Sequence, residues 1–156
     1  MVLYGLFGWL LVYFSTSPTY HFLQPGMAEL RVVFNHAAQP VSPCHRRTAE
    51  ELAKLPPNMR KAVDCPRQRV HVRLEVVLDG QMVAKKSYEP SGFSDDGPAF
   101  VYGRFPVPAG THRIRLMLKD KPDESVTYED ERVMEMPEGR SLVVNLDETS
   151  GHFRFR

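Results

Sequence analysis

At 156 residues, 42% of them hydrophobic and 25% charged, the chain is long enough to bury one genuine core. A formal net charge of +1 supplies no overall field to recruit nucleic acid, so no nucleic-acid partner is expected. Thirteen prolines and ten glycines suit strands and turns better than helices, and two cysteines permit one disulfide or none.

The chain opens without charge: no Asp, Glu, Lys or Arg precedes Glu29. Residues 1–14 are apolar and aromatic, and Ser15, Thr16, Ser17 and Pro18 close the run. A helix rising ~1.5 Å per residue needs about 17–25 residues to cross hydrocarbon. Residues 1–17 barely suffice, and Pro18 stops or kinks the helix. Tyr13, Tyr20 and Phe22 then fall at the interface, where amphipathic aromatics gather. Residues 1–23 are therefore expected to be a transmembrane anchor ahead of a domain over 24–156. A cleaved signal peptide is a rival reading, with small Ser15 and Ser17 to flank a cleavage site but without the positive n-region such peptides carry. A buried core segment is a third. A few residues missing upstream would account for both the shortness and the absent charge. By the positive-inside rule the later lysines and arginines favour a cytoplasmic domain, but only Arg31 lies near the span. Cys44 and Cys65 favour an oxidising compartment, and hence the periplasmic side.

After the anchor, residues 30–34 form a short β run whose pattern Arg31 splits, ended by Asn35 and His36. Thr48 with Glu51 three positions on is a capping-box signature that starts a brief helix, broken by Pro56-Pro57. Residues 58–63 add a further turn. The helical insert, about 48–62, lies between Cys44 and Cys65, like a flap stapled to the side of the domain.

The spine of the domain runs over 69–120. Val70, Val72, Leu74, Val76 and Leu78 alternate with His71, Arg73 and Glu75, the period of a strand with one dry face. Asp79-Gly80 makes a hairpin turn into residues 82–88. Residues 100–107 lead through Pro108-Ala109-Gly110 into 111–120, where His112, Ile114, Leu116 and Leu118 share one face. The connection 89–98, with Pro90, Gly92, Gly97 and Pro98 around Asp95-Asp96, exceeds an ordinary hairpin loop and is a place for binding. Residues 127–136 read as an irregular edge strand. Leu142, Val144 and Leu146 alternate again, as do Phe153 and Phe155 at the end. Seven or eight strands, mostly antiparallel, predict an immunoglobulin-like or prealbumin-like antiparallel β-sandwich.

Chemistry is harder to find. His36, Cys44, His45 and Cys65 are the ligand types of copper or zinc, but their spacing matches no compact finger or knuckle. A Cys44–Cys65 disulfide is the favoured reading of the two thiols, closing a loop of about twenty residues and contributing ~3 kcal/mol; a metal site and free thiols are the alternatives. His71 and His112, at alternate strand positions, read as surface or edge packing. Asp95-Asp96 and Glu129-Asp130-Glu131 read as solvated turns and an exposed edge. Nothing matches a nucleophile elbow, a phosphate-cradling loop or a paired-carboxylate cleft, so neither an enzyme nor a cofactor is expected. The candidate partner contacts are Gly92, Phe93, Asp95 and Asp96 of the long loop, with Trp9 and Tyr13 of the anchor.

The runs Phe34-Asn35-His36 with Cys44, Glu50 through Arg60, Asp64-Cys65-Pro66-Arg67 and Asp96-Gly97-Pro98 carry a resemblance. They resemble a family of small proteobacterial proteins with one N-terminal membrane segment, associated with gene clusters for cbb3-type haem-copper oxidases. The resemblance covers nearly the whole chain and is most specific between the two cysteines. It brings no catalytic residues with it. It implies an accessory or assembly factor, or a small subunit, of a respiratory membrane complex in the bacterial inner membrane. The partners it implies are that larger complex and the lipid bilayer. A periplasmic copper- or ligand-binding carrier is the alternative reading.

Overall fold

The structure is a computed structural model that describes residues 2–17 and 22–156. It is mostly β. Helix α1 spans Val2–Thr16, and ten strands follow: β1 Met27–His36, β2 His45–Arg46, β3 Val63–Asp64, β4 Val72–Leu78, β5 Gln81–Tyr88, β6 Ala99–Pro108, β7 Gly110–Lys119, β8 Val126–Met136, β9 Ser141–Asp147 and β10 His152–Phe155. A short helix α2, Ala49–Ala53, and a 3-10 turn, Pro57–Met59, lie between β2 and β3.

Eight strands form two four-stranded sheets, ordered β10-β9-β1-β6 and β5-β4-β7-β8, while β2 and β3 make a separate two-stranded ribbon. Both large sheets send side chains into one core, a β-sandwich-like arrangement. Leu30, Val32, Val101 and Phe153 come from the first sheet; Leu74, Val76, Ile114, Leu116 and Leu118 come from the second. Strand β6 shows why period two suffices, with every second residue from Ala99 to Val107 buried and the intervening ones exposed.

The strand pairing is mostly antiparallel, as expected; the exception is β9, which runs parallel to β1 with Leu30 opposite Leu142. One expectation changes. The first strand has ten residues, not a short run interrupted by Arg31. Glu29 and Arg31 point to the outer face, where Glu29 is buried under the guanidiniums of Arg31 and Arg104, each 2.7 Å away. Burial opposes ionisation of Glu29, but the hydrogen bonds from Arg104 and Arg31 outweigh it and hold its pKa below the ordinary carboxylate value. A charged pair of positions thus continues the strand.

The expected anchor over 1–23 contains α1, but the helix is fifteen residues long, and no described helix is long and apolar enough to cross a membrane. Met1 and residues 18–21, including Tyr20, lie outside the described residues. None of the α1 residues is buried against the sheets.

Candidate interaction surface at the flap end of the sheets

The strand registers bring four connections to one end of the two sheets. These are 37–71 between β1 and β4, 89–98 between β5 and β6, 120–125 between β7 and β8, and 148–151 between β9 and β10. Residue Met27, where β1 begins, is nine residues from His36, about 30 Å at ~3.3 Å per residue.

The first connection carries the flap. Cys44 and Cys65 are disulfide-bonded, as the sequence favoured. Beside them β2 pairs with β3 through His45 opposite Asp64, and Arg47 bridges to Asp64 at 2.7 Å. Thr48 caps α2 in a complete capping box with Glu51, and Glu51 also lies 3.3 Å from His45. No residue from 39 to 71 is buried. The flap is therefore held by its disulfide, its caps and its ribbon rather than by a core of its own.

At its neck, Pro40 bridges Arg69, and Val41 N–H donates to the Gln68 carbonyl. Arg69 ties this neck to the long loop: its backbone N–H donates to the Asp95 carbonyl, Nε to the Asp96 carbonyl and Nη1 to the Ala38 carbonyl at 2.6 Å. Within the loop, Gly97 N–H donates to the Ser91 carbonyl at 2.8 Å, and Pro90 bridges Ala99. Gly92 takes φ +96°, which suits glycine, and Asp95 takes φ +53°. These bonds fix a compact loop with Phe93 at its tip, fully exposed. An aromatic ring held out by a backbone-bonded loop is the form of an interface anchor, because little loop-ordering entropy remains to be lost on binding.

Beneath the loops sits a charged cluster that sequence reading missed as such. His36 ends β1 in phase with Leu30, Val32 and Phe34, and so points inward, 5% exposed. Its Nε2 lies 2.6 Å from Asp120 Oδ2, and its Nδ1 lies 2.6 Å from Glu148 Oε1. Thr127 donates its hydroxyl to the other oxygen of Asp120, and the Tyr128 ring stands edge-on to the imidazole at 5.5 Å. Two carboxylates facing two ring nitrogens require both nitrogens to be protonated. Burial pulls the His36 pKa down, but hydrogen bonds to Asp120 and Glu148 outweigh it and raise it. Burial likewise opposes charge on Asp120, and bonds from His36 and Thr127 win, lowering its pKa. Asp120 follows β7, Tyr128 lies in β8 and Glu148 follows β9, so the cluster clamps the two sheets together. It leaves no ring nitrogen open to take a substrate proton.

The four soft-ligand candidates do not converge. Cys44 and Cys65 are bonded to each other, His45 is exposed in the flap, and His36 is in the clamp. Among the described residues no group of three His, Cys, Asp or Glu side chains is placed to hold a metal ion. His71 is exposed, and His112 bonds Asp79 Oδ2 at 2.6 Å beside the hairpin turn. An open cleft of about 310 Å³ lies between the neck and the β7–β8 turn, lined by Arg69, Arg73, Lys119 and Lys121 among others. Three of these cations are already engaged: Arg69 by carbonyls, Arg73 by Glu124 and Lys119 by Glu75. Gly92, Phe93, Asp95 and Asp96 gather at the flap end, whereas Trp9 and Tyr13 stack on each other at 5.5 Å along α1. Compared with known proteins, the chain matches no family model and no curated sequence.

Proposed function

We propose that this protein is a membrane-tethered interaction module: a non-enzymatic accessory or assembly factor, or small subunit, of a respiratory membrane complex. The observation that carries this reading is α1. All fifteen residues lack charge, none is buried on the sheets, and Leu3, Phe7, Trp9, Leu11 and Phe14 stand exposed. A helix apolar on every side is at home in a protein interior or in lipid, and the sheets do not cover it. It has no charged face of the kind that keeps a helix in the interfacial plane. Its length, about 22 Å by helical rise, is less than the ~30 Å of a typical hydrocarbon core. Local thinning of the bilayer and the interfacial aromatics make up such a difference.

The exposed Cys44–Cys65 bond supports a periplasmic location, because a solvent-accessible disulfide persists in oxidising compartments. Within the sandwich class, the prealbumin-like form is favoured over the immunoglobulin-like one. In the immunoglobulin order the first strand pairs with the second, whereas here β1 lies between β6 and β9. The rigid Phe93 loop and the flap are the surfaces that grip the partner, and the resemblance names a cbb3-type oxidase as that partner. Purification from native bacterial inner membranes in mild detergent tests the reading. Recovery of the chain with subunits of a haem-copper oxidase is expected; recovery of the monomer alone contradicts it.

A further inference from the structure

The outer faces of the two sheets differ in kind. On the β5-β4-β7-β8 sheet, opposite charges are matched in rows: Arg115 with Glu129, Arg113 with Glu131, and Glu75 between Lys85 and Lys119. The charges of that face are matched in water, and its exposed apolar side chains, Met82 and Val133 among them, are aliphatic rather than aromatic. On the β10-β9-β1-β6 sheet, β6 turns Phe100 and Tyr102 outward at 66% and 49% exposure, in line with Arg104. Arg31 and Arg104 share the single buried carboxylate of Glu29, so this patch keeps a positive balance beside its aromatic rings.

The chain itself ties this face to α1. Phe22 lies over the Arg104 guanidinium, 4.1 Å from carbon to ring centroid. Arg104 pairs with Arg31 in the middle of β1, not at the end of the sheet. Six peptide steps separate Thr16, the last residue of α1, from Phe22. At ~3.3–3.6 Å per step, the end of α1 lies within about 22 Å of Phe22.

We propose that the outer face of the β10-β9-β1-β6 sheet, at Phe100, Tyr102 and Arg104, rests on the lipid headgroups of the bilayer that holds α1. The inference depends on α1 being in that bilayer. Given that, the short tether leaves this face no room to sit far from the surface. Tyrosine suits the headgroup region, where a ring finds an apolar body and a wet tip. Guanidiniums there are attracted by phosphate, with a gain of about fivefold per arginine in the ratio of seated to lifted face on an anionic surface. The strands then lie along the membrane. The Phe93 loop and flap project sideways, toward a neighbour in the same bilayer rather than outward into solvent.

The test uses the full chain with its disulfide oxidised, in vesicles of phosphatidylglycerol and phosphatidylcholine. A bimane label is placed by Tyr102→Cys or by Phe100→Cys, with Val133→Cys on the opposite sheet as the control. Nitroxide-headgroup lipid is the quencher. Trp9, the single tryptophan, reports the helix independently through acyl-chain-brominated lipid. The expected result is quenching of Trp9 together with several-fold stronger headgroup quenching at positions 100 and 102 than at 133. Quenched Trp9 with equal or weaker quenching at both 100 and 102 overturns the seated face and leaves the anchor standing. Unquenched Trp9 overturns the anchor, and the seated face with it.

Discussion

Replacing His36 by alanine removes the cation that Asp120 and Glu148 share. Glu148 has half its side chain in water and turns outward at small cost, since exposed pairs are worth roughly 0–1 kcal/mol. Asp120 is 4% exposed and, among the described residues, keeps the Thr127 hydroxyl and the more distant charge of Lys121. Leaving one member of a buried pair uncompensated costs about 3–5 kcal/mol, and the remaining hydroxyl places this site at the low end, about 3 kcal/mol. The pH dependence carries a definite sign. His36 has a pKa raised above its ordinary 6.5, so its stabilisation is complete below about 6.5 and disappears as pH rises through the raised value. Asp120 has a pKa lowered below 3.8, so its share is complete above about 3.8 and disappears as pH falls through the lowered value. Urea unfolding of wild type and His36→Ala across that range is the assay. The gap between them is expected to be widest near pH 5–6 and to close on the alkaline side. His36→Ala with Asp120→Asn should recover part of the loss. A cost below about 0.5 kcal/mol, or a gap unchanged into the alkaline range, refutes the clamp.

Three further outcomes follow from local geometry. Serine at both Cys44 and Cys65 should leave global stability within about 1 kcal/mol, although closing a loop of this size is nominally worth ~3 kcal/mol. The flap lacks buried residues and loosens in the native state too, so hydrogen exchange should rise within 44–65 and stay low in β4 and β7. Phe93→Ala should weaken recovery of the membrane partner at least tenfold, a hot-spot loss of about 1.4–2 kcal/mol, without moving the melting temperature. Gly103→Ala should destabilise by about 1–3 kcal/mol in thermal unfolding, because its Cβ would stand 2.6 Å from the Phe105 ring and 3.2 Å from the Tyr88 hydroxyl oxygen.

The strands were legible wherever one face is dry and the other wet. Leu74, Leu116 and Val101 announce themselves at every second position, and the Thr48–Glu51 box announced α2. Strand β1 was underestimated because Glu29 and Arg31 look like an interruption until Arg104, 75 residues away in sequence, covers them. The parallel pairing of β1 with β9 leaves no local trace, since neither strand's pattern names its neighbour. The clamp was half visible. His36 shares the even-numbered phase of Leu30, Val32 and Phe34, which marks it as inward. Its partners at 120 and 148 follow two other strands, and its residue type placed it in a soft-ligand set with Cys44, His45 and Cys65 instead. The exposed Phe93 was legible only as part of an overlong loop; the bonds from Arg69 that stiffen it are set by the fold.

The central claim is adhesion at a membrane, and photo-crosslinking in intact cells tests it most directly. With a photoreactive residue at position 93 and a control at 133, one discrete adduct with an integral membrane protein is expected from 93 alone. A chain that fractionates with soluble proteins and gives no adduct at 93 contradicts the account.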